Sequence, residues 1–151
     1  VDSVDRQLLE ALRGNARATY AELARIVGLS APAVHERVGK LESGGVITGY
    51  HAAVAPEALG YQVNALIGIF ITDSADSDQI AADLEEIPTV EHCWFVAGEE
   101  TFVIKVRAVD VSALEGTIRA LNAIKGVART RTTVVLSTKF EDRVVMQDAD
   151  V

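Results

Sequence analysis

The sequence predicts an α+β chain in two parts, three short helices followed by a βαββαβ layer, and three observations carry the prediction. Over residues 4–43 the apolar positions recur three and four apart, the period of helices that bury one face. After Gly45 the period falls toward two, and four runs rich in β-branched and aromatic residues follow. Helical spacing returns twice between those runs, once after the first and once after the third.

Within the first part, Leu8, Leu9 and Leu12 stripe the opening helix. Thr19 and Glu22 form a T-x-x-E capping box ahead of Leu23, Ile26 and Val27, each side chain satisfying a backbone N–H that the helix start leaves unpaired. Gly28 closes this second helix, because glycine enters the left-handed conformation without a Cβ clash. Ser30 caps a third helix, and Pro32 falls in its first turn, where a missing N–H costs little. Val34, Val38 and Leu41 give its buried stripe, and Gly44 and Gly45 stop it. Two short helices joined by a three-residue turn, with small Ala24 at the close approach and Val34 plugging the core, make a helix-turn-helix of winged-helix-like type.

Residues 46–54 alternate weakly and are expected as a strand leaving the helices, and 56–61 as a linker with one helical turn. Strands are expected over 64–72, 89–98, 101–108 and 127–138. Ile80, Leu84 and Ile87 stripe the helix between the first two, capped by Asp76 or Ser77 and ended by Pro88. Leu114, Ile118 and Leu121 stripe the other, opened by a box of Ser112 with Glu115 and closed near Gly126. This order is the split βαβ, or ferredoxin-like, unit, an antiparallel sheet with both helices on one face. In its first strand Val63, Ala65, Ile67, Ile69 and Ile71 lie on one side and Leu66 and Phe70 on the other, so both sides are apolar. Helices cover only one side, and the same face of a second copy is the simplest cover for the other, which makes a dimer the expectation. The expected limits are 1–50 for the helix-turn-helix domain, 51–61 for a linker strand and hinge, 62–140 for the ferredoxin-like domain and 141–151 for a tail.

Charge is divided unevenly. The 151 residues carry a formal net charge of −8, yet residues 1–50 hold six basic and six acidic side chains, so the acidity belongs to the second part. The first part is therefore not excluded from nucleic acid, where local clustering matters more than net charge. The longest apolar run, residues 65–71, falls well short of the roughly 18 residues that a membrane helix needs. Asp2 and Asp5 argue against a targeting segment at the start, and a cytoplasmic protein is expected. Cys93 is the sole cysteine, so no internal disulfide forms.

The opening D-x-x-D-R-Q-L-L of Asp2 to Leu9, the G-L-S of Gly28 to Ser30, V-H-E-R-V-G-K-L-E from Val34 to Glu42, G-V-I-T-G-Y from Gly45 to Tyr50, and P-E-A-L-G-Y from Pro56 to Tyr61 resemble the Lrp/AsnC family of bacterial and archaeal transcription regulators, the feast/famine proteins. The resemblance spans nearly the whole chain. It implies an N-terminal helix-turn-helix that binds double-stranded DNA, a C-terminal domain that responds to an amino acid or related metabolite, and dimers that assemble further, often to octamers. No cofactor is implied. Two departures stand out. Many members carry G-D-Y-D-Y after the second strand, where this chain reads Gly98-Glu99-Glu100-Thr101-Phe102, with Thr101 in the second aspartate position. Ala55 replaces the acidic or amide residue that often precedes the linker proline.

With Val34, Val38 and Leu41 buried, Pro32, Ala33, Glu36 and Lys40 point outward and His35 and Arg37 flank them. Ser30 and Ala31 at the helix N-terminus are placed to hold a phosphate, and Ala33 to meet a thymine methyl. Arg37 and Lys40 are expected to reach base edges or backbone, and Glu36 either to accept from a cytosine amino group or to orient Arg37. Arg17, Tyr20 and Arg25 near the second helix are candidate backbone contacts, with packing the other reading for Tyr20. For the effector, the Ala97, Gly98, Glu99, Glu100 and Thr101 turn is expected near Thr130 and Thr132 of the last strand, where hydroxyls, backbone N–H groups and carboxylates suit the two charged ends of an amino acid. The family resemblance places the effector between dimers at this loop. His35, His51, His92 and Cys93 lack metal-ligand spacing. Two other readings of the layout are a siroheme-decarboxylase-like enzyme, for which His92 is the candidate, and an architectural DNA-binding protein without a ligand.

Overall fold

The computed structural model describes residues 1–143, arranged as two compact units, one on Val1–Ala53 and the other on Val54–Lys139. Most of the expected tail, residues 144–151, lies outside the described residues.

The first unit holds α1 (Ser3–Gly14), α2 (Tyr20–Val27) and α3 (Ala31–Ser43). Capping boxes open the first two. Asp2 and Asp5 exchange side-chain and backbone bonds at α1, as Thr19 and Glu22 do at α2. Gly28 ends α2 at φ 70, and its N–H returns to the Ala24 carbonyl at 2.9 Å. Leu8, Leu12, Leu23, Ala24, Val34 and Val38 form the core, with Ile47 packed against it. Ile26, expected in the buried stripe, is 58% exposed. Leu23, Ala24 and Val27 already define the inward arc of this eight-residue helix, and at about 100° per residue Ile26 falls outside it.

The expected strand over 46–54 does not form: these residues are irregular, and the sheet comprises four later strands. A strand exists only where neighbouring N–H and C=O groups complete its ladder, and weak alternation supplies no such neighbour. A 3-10 turn, Pro56–Leu59, follows, as the linker reading anticipated.

The second unit runs β1 (Val63–Ile71), α4 (Ser77–Glu85), β2 (Val90–Phe95), β3 (Phe102–Ala108), α5 (Val111–Asn122) and β4 (Val127–Val135). The strands pair antiparallel in the order β2-β3-β1-β4, the ferredoxin-like topology. Ala65, Ile67 and Ile69 of β1 and Ile104 and Val106 of β3 pack with Ile80 and Leu84 of α4 and Leu114 and Leu121 of α5, so both helices lie on one face. Asp76 caps α4 through bonds from Asp78 N and Gln79 N, whereas Ile87 falls beyond the helix end. Asp110, not Ser112, caps α5: its carboxylate accepts from Ala113 N at 2.7 Å, and a good cap two residues earlier starts the helix first.

Candidate functional site

Two places collect the chemistry. On α3, Val34, Val38 and Leu41 are buried, which leaves Pro32, His35, Glu36 and Lys40 exposed and Ala31, Ala33 and Arg37 half-buried. The Ser30 hydroxyl accepts from Ala33 N at 3.3 Å, fixing the start of the helix. Both firm positive charges of this helix carry partners. Lys40 Nζ donates to Glu36 Oε1 at 2.7 Å one turn away, and the ammonium holds the Glu36 carboxyl below its ordinary pKa. Arg37 Nη1 donates to Asp2 Oδ2 at 2.7 Å and to Asp5 Oδ1 at 2.9 Å, both at the start of α1. A backbone bond from Asp5 and the Arg37 guanidinium lower the Asp2 pKa, and the two carboxylates raise that of Arg37. His35 meets Tyr20 edge to face with centroids 4.8 Å apart, joining α3 to α2. Arg17 and Arg25 are exposed and make no ion pair among the described residues.

The second place is the loop between β2 and β3. Thr101 N donates to Ile69 O at 2.9 Å, so the loop lies across β1. Glu100 folds over Gly68 and pairs with Arg131 of β4, while Glu99 Oε2 stands 3.9 Å from the same guanidinium. Thr130 and Thr132 do not join this cluster. They pair in register with Ile69 and Ile67, whose side chains are buried under the helices, and Asn122 Nδ2 donates to Thr130 Oγ1 at 3.2 Å. Strand alternation puts Arg131 on the opposite, open face. Sequence reasoning chose the hydroxyls and missed Arg131, for which the signal was its odd position between them. Ala97 and Gly98 lie in the same loop, beyond the end of β2.

The open face is less apolar than β1 alone suggested. Leu66, Phe70 and Trp94 share it with Arg129, Arg131, Lys105 and Arg107. The Arg129 guanidinium lies 3.7 Å from the Phe70 ring centroid, and Glu91 Oε2 pairs with Lys105 at 3.4 Å and Arg107 at 3.1 Å.

The AsnC-type helix-turn-helix domain matches residues 1–42, and the Lrp/AsnC ligand binding domain matches residues 64–145. The chain belongs to the Lrp/AsnC family. This Lrp/AsnC chain is 43% identical over 143 residues to the HTH-type transcriptional regulator LrpA of Mycobacterium tuberculosis, covering 95% of each. It is 38% identical over 137 residues to the regulatory protein AsnC of Escherichia coli strain K12, covering 90% of each. Among solved structures, the feast or famine regulatory protein from M. tuberculosis complexed with L-methionine superposes with a TM-score of 0.91 at 42% identity, over 97% of this chain and 99% of that one. The chain is accordingly a DNA-binding transcriptional regulator, and the regulatory reading is favoured over the decarboxylase-like one. Within this Lrp/AsnC chain His92 stacks on Trp94 at 5.3 Å, and no group of three or more His, Cys, Asp or Glu side chains is placed to hold a metal among the described residues. No helix there is long and apolar enough to cross a membrane.

Proposed function

We propose that this regulator reads DNA with the exposed side of α3 and adjusts its assembly on DNA when an amino acid binds at the loop between β2 and β3. The observation that carries the DNA reading is the division of α3 itself: Val34, Val38 and Leu41 anchor one side, and Pro32, His35, Glu36 and Lys40 stand on the other. Ser30 and Ala31 offer the helix N-terminus to a phosphate, Ala33 a small apolar surface, and Arg17 in the turn before α2 and Tyr20 at its start add backbone contacts. Lys40 exchanges its Glu36 partner for a phosphate at little cost, because an exposed i, i+4 pair contributes little to stability.

With six basic side chains balanced by six acidic ones over residues 1–50, one headgroup binds weakly. A pair of headgroups compensates through effective concentration. The open sheet face supports pairing with a second copy, since Leu66 is 39% and Trp94 46% exposed there. Dimers then associate further, to the octamer that the family resemblance implies is often formed. The effector reading rests on the Glu99, Glu100 and Arg131 cluster, which matches the two charges of an amino acid, and on the methionine bound to the related M. tuberculosis protein. A cytoplasmic setting fits both partners.

Selection of genomic fragments on the purified protein, with and without each of twenty amino acids, tests the whole reading. Enrichment of a common sequence that one amino acid changes is the expected result. Indifference to all amino acids with retained DNA binding leaves the architectural reading, and retention of no fragment ends the regulatory one.

A further inference from the structure

We infer that Arg37 is a positioning residue of the DNA-reading helix, a clamp that fastens α3 to the first turn of α1, and that it stays on that clamp when DNA binds. This rests on the reading that α3 enters DNA, and it reverses the plain expectation that the arginine of an exposed helix reaches for the duplex.

Four carboxylate oxygens are shared between the cap of α1 and the guanidinium of α3. Asp5 N donates to Asp2 Oδ1 at 2.8 Å, and Asp2 N donates to Asp5 Oδ2 at 3.0 Å, which closes the capping box of α1. Each carboxylate thereby commits one oxygen to the backbone and keeps one. Arg37 Nη1 takes both remaining oxygens, Asp2 Oδ2 and Asp5 Oδ1. The box and the clamp are one unit: the backbone bonds hold the carboxylates in place, and the carboxylates hold the guanidinium.

Burial separates this pair from the other one on the helix. The side chains of Lys40 and Glu36 are 74% and 69% exposed, while Arg37 is 35% and Asp5 16% exposed. If Arg37 swung to a phosphate, two carboxylates would be left unpaired, one of them largely withdrawn from water and both carried toward a polyanion. Each carboxylate would keep only its backbone bond while facing the phosphates, and that like-charge repulsion, with Asp5 poorly solvated, opposes the exchange. The clamp also spans 32 to 35 residues, tying together the two helices that frame α2. Lys40 is thus the chief cation that α3 has to give, and Arg37 fixes where it points.

The test uses the full chain in four forms: wild type, Arg37→Gln, Asp2→Asn with Asp5→Asn, and all three substitutions together. Hydrogen exchange of the α1 amides and the slope of DNA affinity against salt are measured on each, with Glu10→Gln as the reference for losing a carboxylate elsewhere on α1. The clamp predicts that Arg37→Gln and the double asparagine variant each lower α1 protection about fivefold, and that combining them adds little, because both remove the same interaction. It also predicts a salt slope within error of wild type for Arg37→Gln. A slope shallower by about 0.9, the signature of one lost phosphate contact, overturns the inference. Full additivity of the protection losses overturns it too. If Arg37→Gln does not fold, Arg37→Lys and the double asparagine variant carry the same comparison. A wild type that retains no DNA ends the reading on which this rests, whereas absence of coupling in the exchange data ends the clamp alone.

Discussion

Glu100 lies in the space that a side chain on Gly68 would fill: a Cβ there would stand 2.6 Å from Glu100 Cγ. The missing side chain in the middle of β1 is what lets the β2–β3 loop fold flat and present its carboxylate to Arg131.

Gly68→Ala is therefore expected to push Glu100 off the sheet. Overpacking of this kind typically costs about 1–3 kcal/mol, and here the end of a flexible side chain yields first. The expected outcome is a chain that folds and binds DNA but binds its effector about tenfold more weakly or worse. Calorimetric titration with the amino acid found by fragment selection checks it; unchanged affinity would detach the loop from the effector site.

Lys40→Gln gives the complementary result to the clamp. The Lys40 side chain is 74% exposed, and loss of its charge removes one phosphate contact with little effect on folding. The salt slope should fall by about 0.9 while thermal stability stays within about 0.5 kcal/mol of wild type.

Leu66→Gln tests the second copy. Leu66 sits mid-strand between Lys105 and Thr133 on the open face and makes no part of the helix-side core. Sedimentation should show the subunit dissociation constant raised at least about tenfold, with the single chain still folded. A wild type that sediments as a lone subunit at micromolar concentration removes the dimer altogether.

Tyr50 provides a pH signature. Its hydroxyl donates to Glu42 Oε1 at 2.7 Å, and desolvation together with that carboxylate pushes its pKa up to about 12. A pKa raised by folding contributes stability that is fully present below the unfolded value, near 10, and is lost as pH rises toward the folded one. Ultraviolet titration should show one of the three tyrosines ionising last, and Tyr50→Phe should abolish that late step. It should also flatten the alkaline fall in stability.

Local order was legible where one short stretch of chain decides it. The Thr19–Glu22 box, the Ser30 cap, the Gly28 stop and the stripe of Val34, Val38 and Leu41 each depend on residues at most seven apart, and all stand in the structure. The βαββαβ order was legible for the same reason, as were the two apolar sides of β1, though not which of them the helices cover. Where two local signals competed, the nearer cap won, which is why Asp110 displaced Ser112. The irregular 46–54 segment shows the limit of strand patterns, which name a candidate but not its neighbour.

Sequence by itself thus determined the two parts, the exposed side of α3 and every element but the expected 46–54 strand, because hydrophobic period and capping act within a few residues. Only the tertiary structure decided which charges are spoken for. Arg37 meets Asp2 and Asp5 across more than thirty residues, and Glu100 meets Arg131 across thirty-one, past a glycine on a third strand. Ion pairing depends on distances of a few ångströms between groups remote in the chain, and folding alone sets those distances.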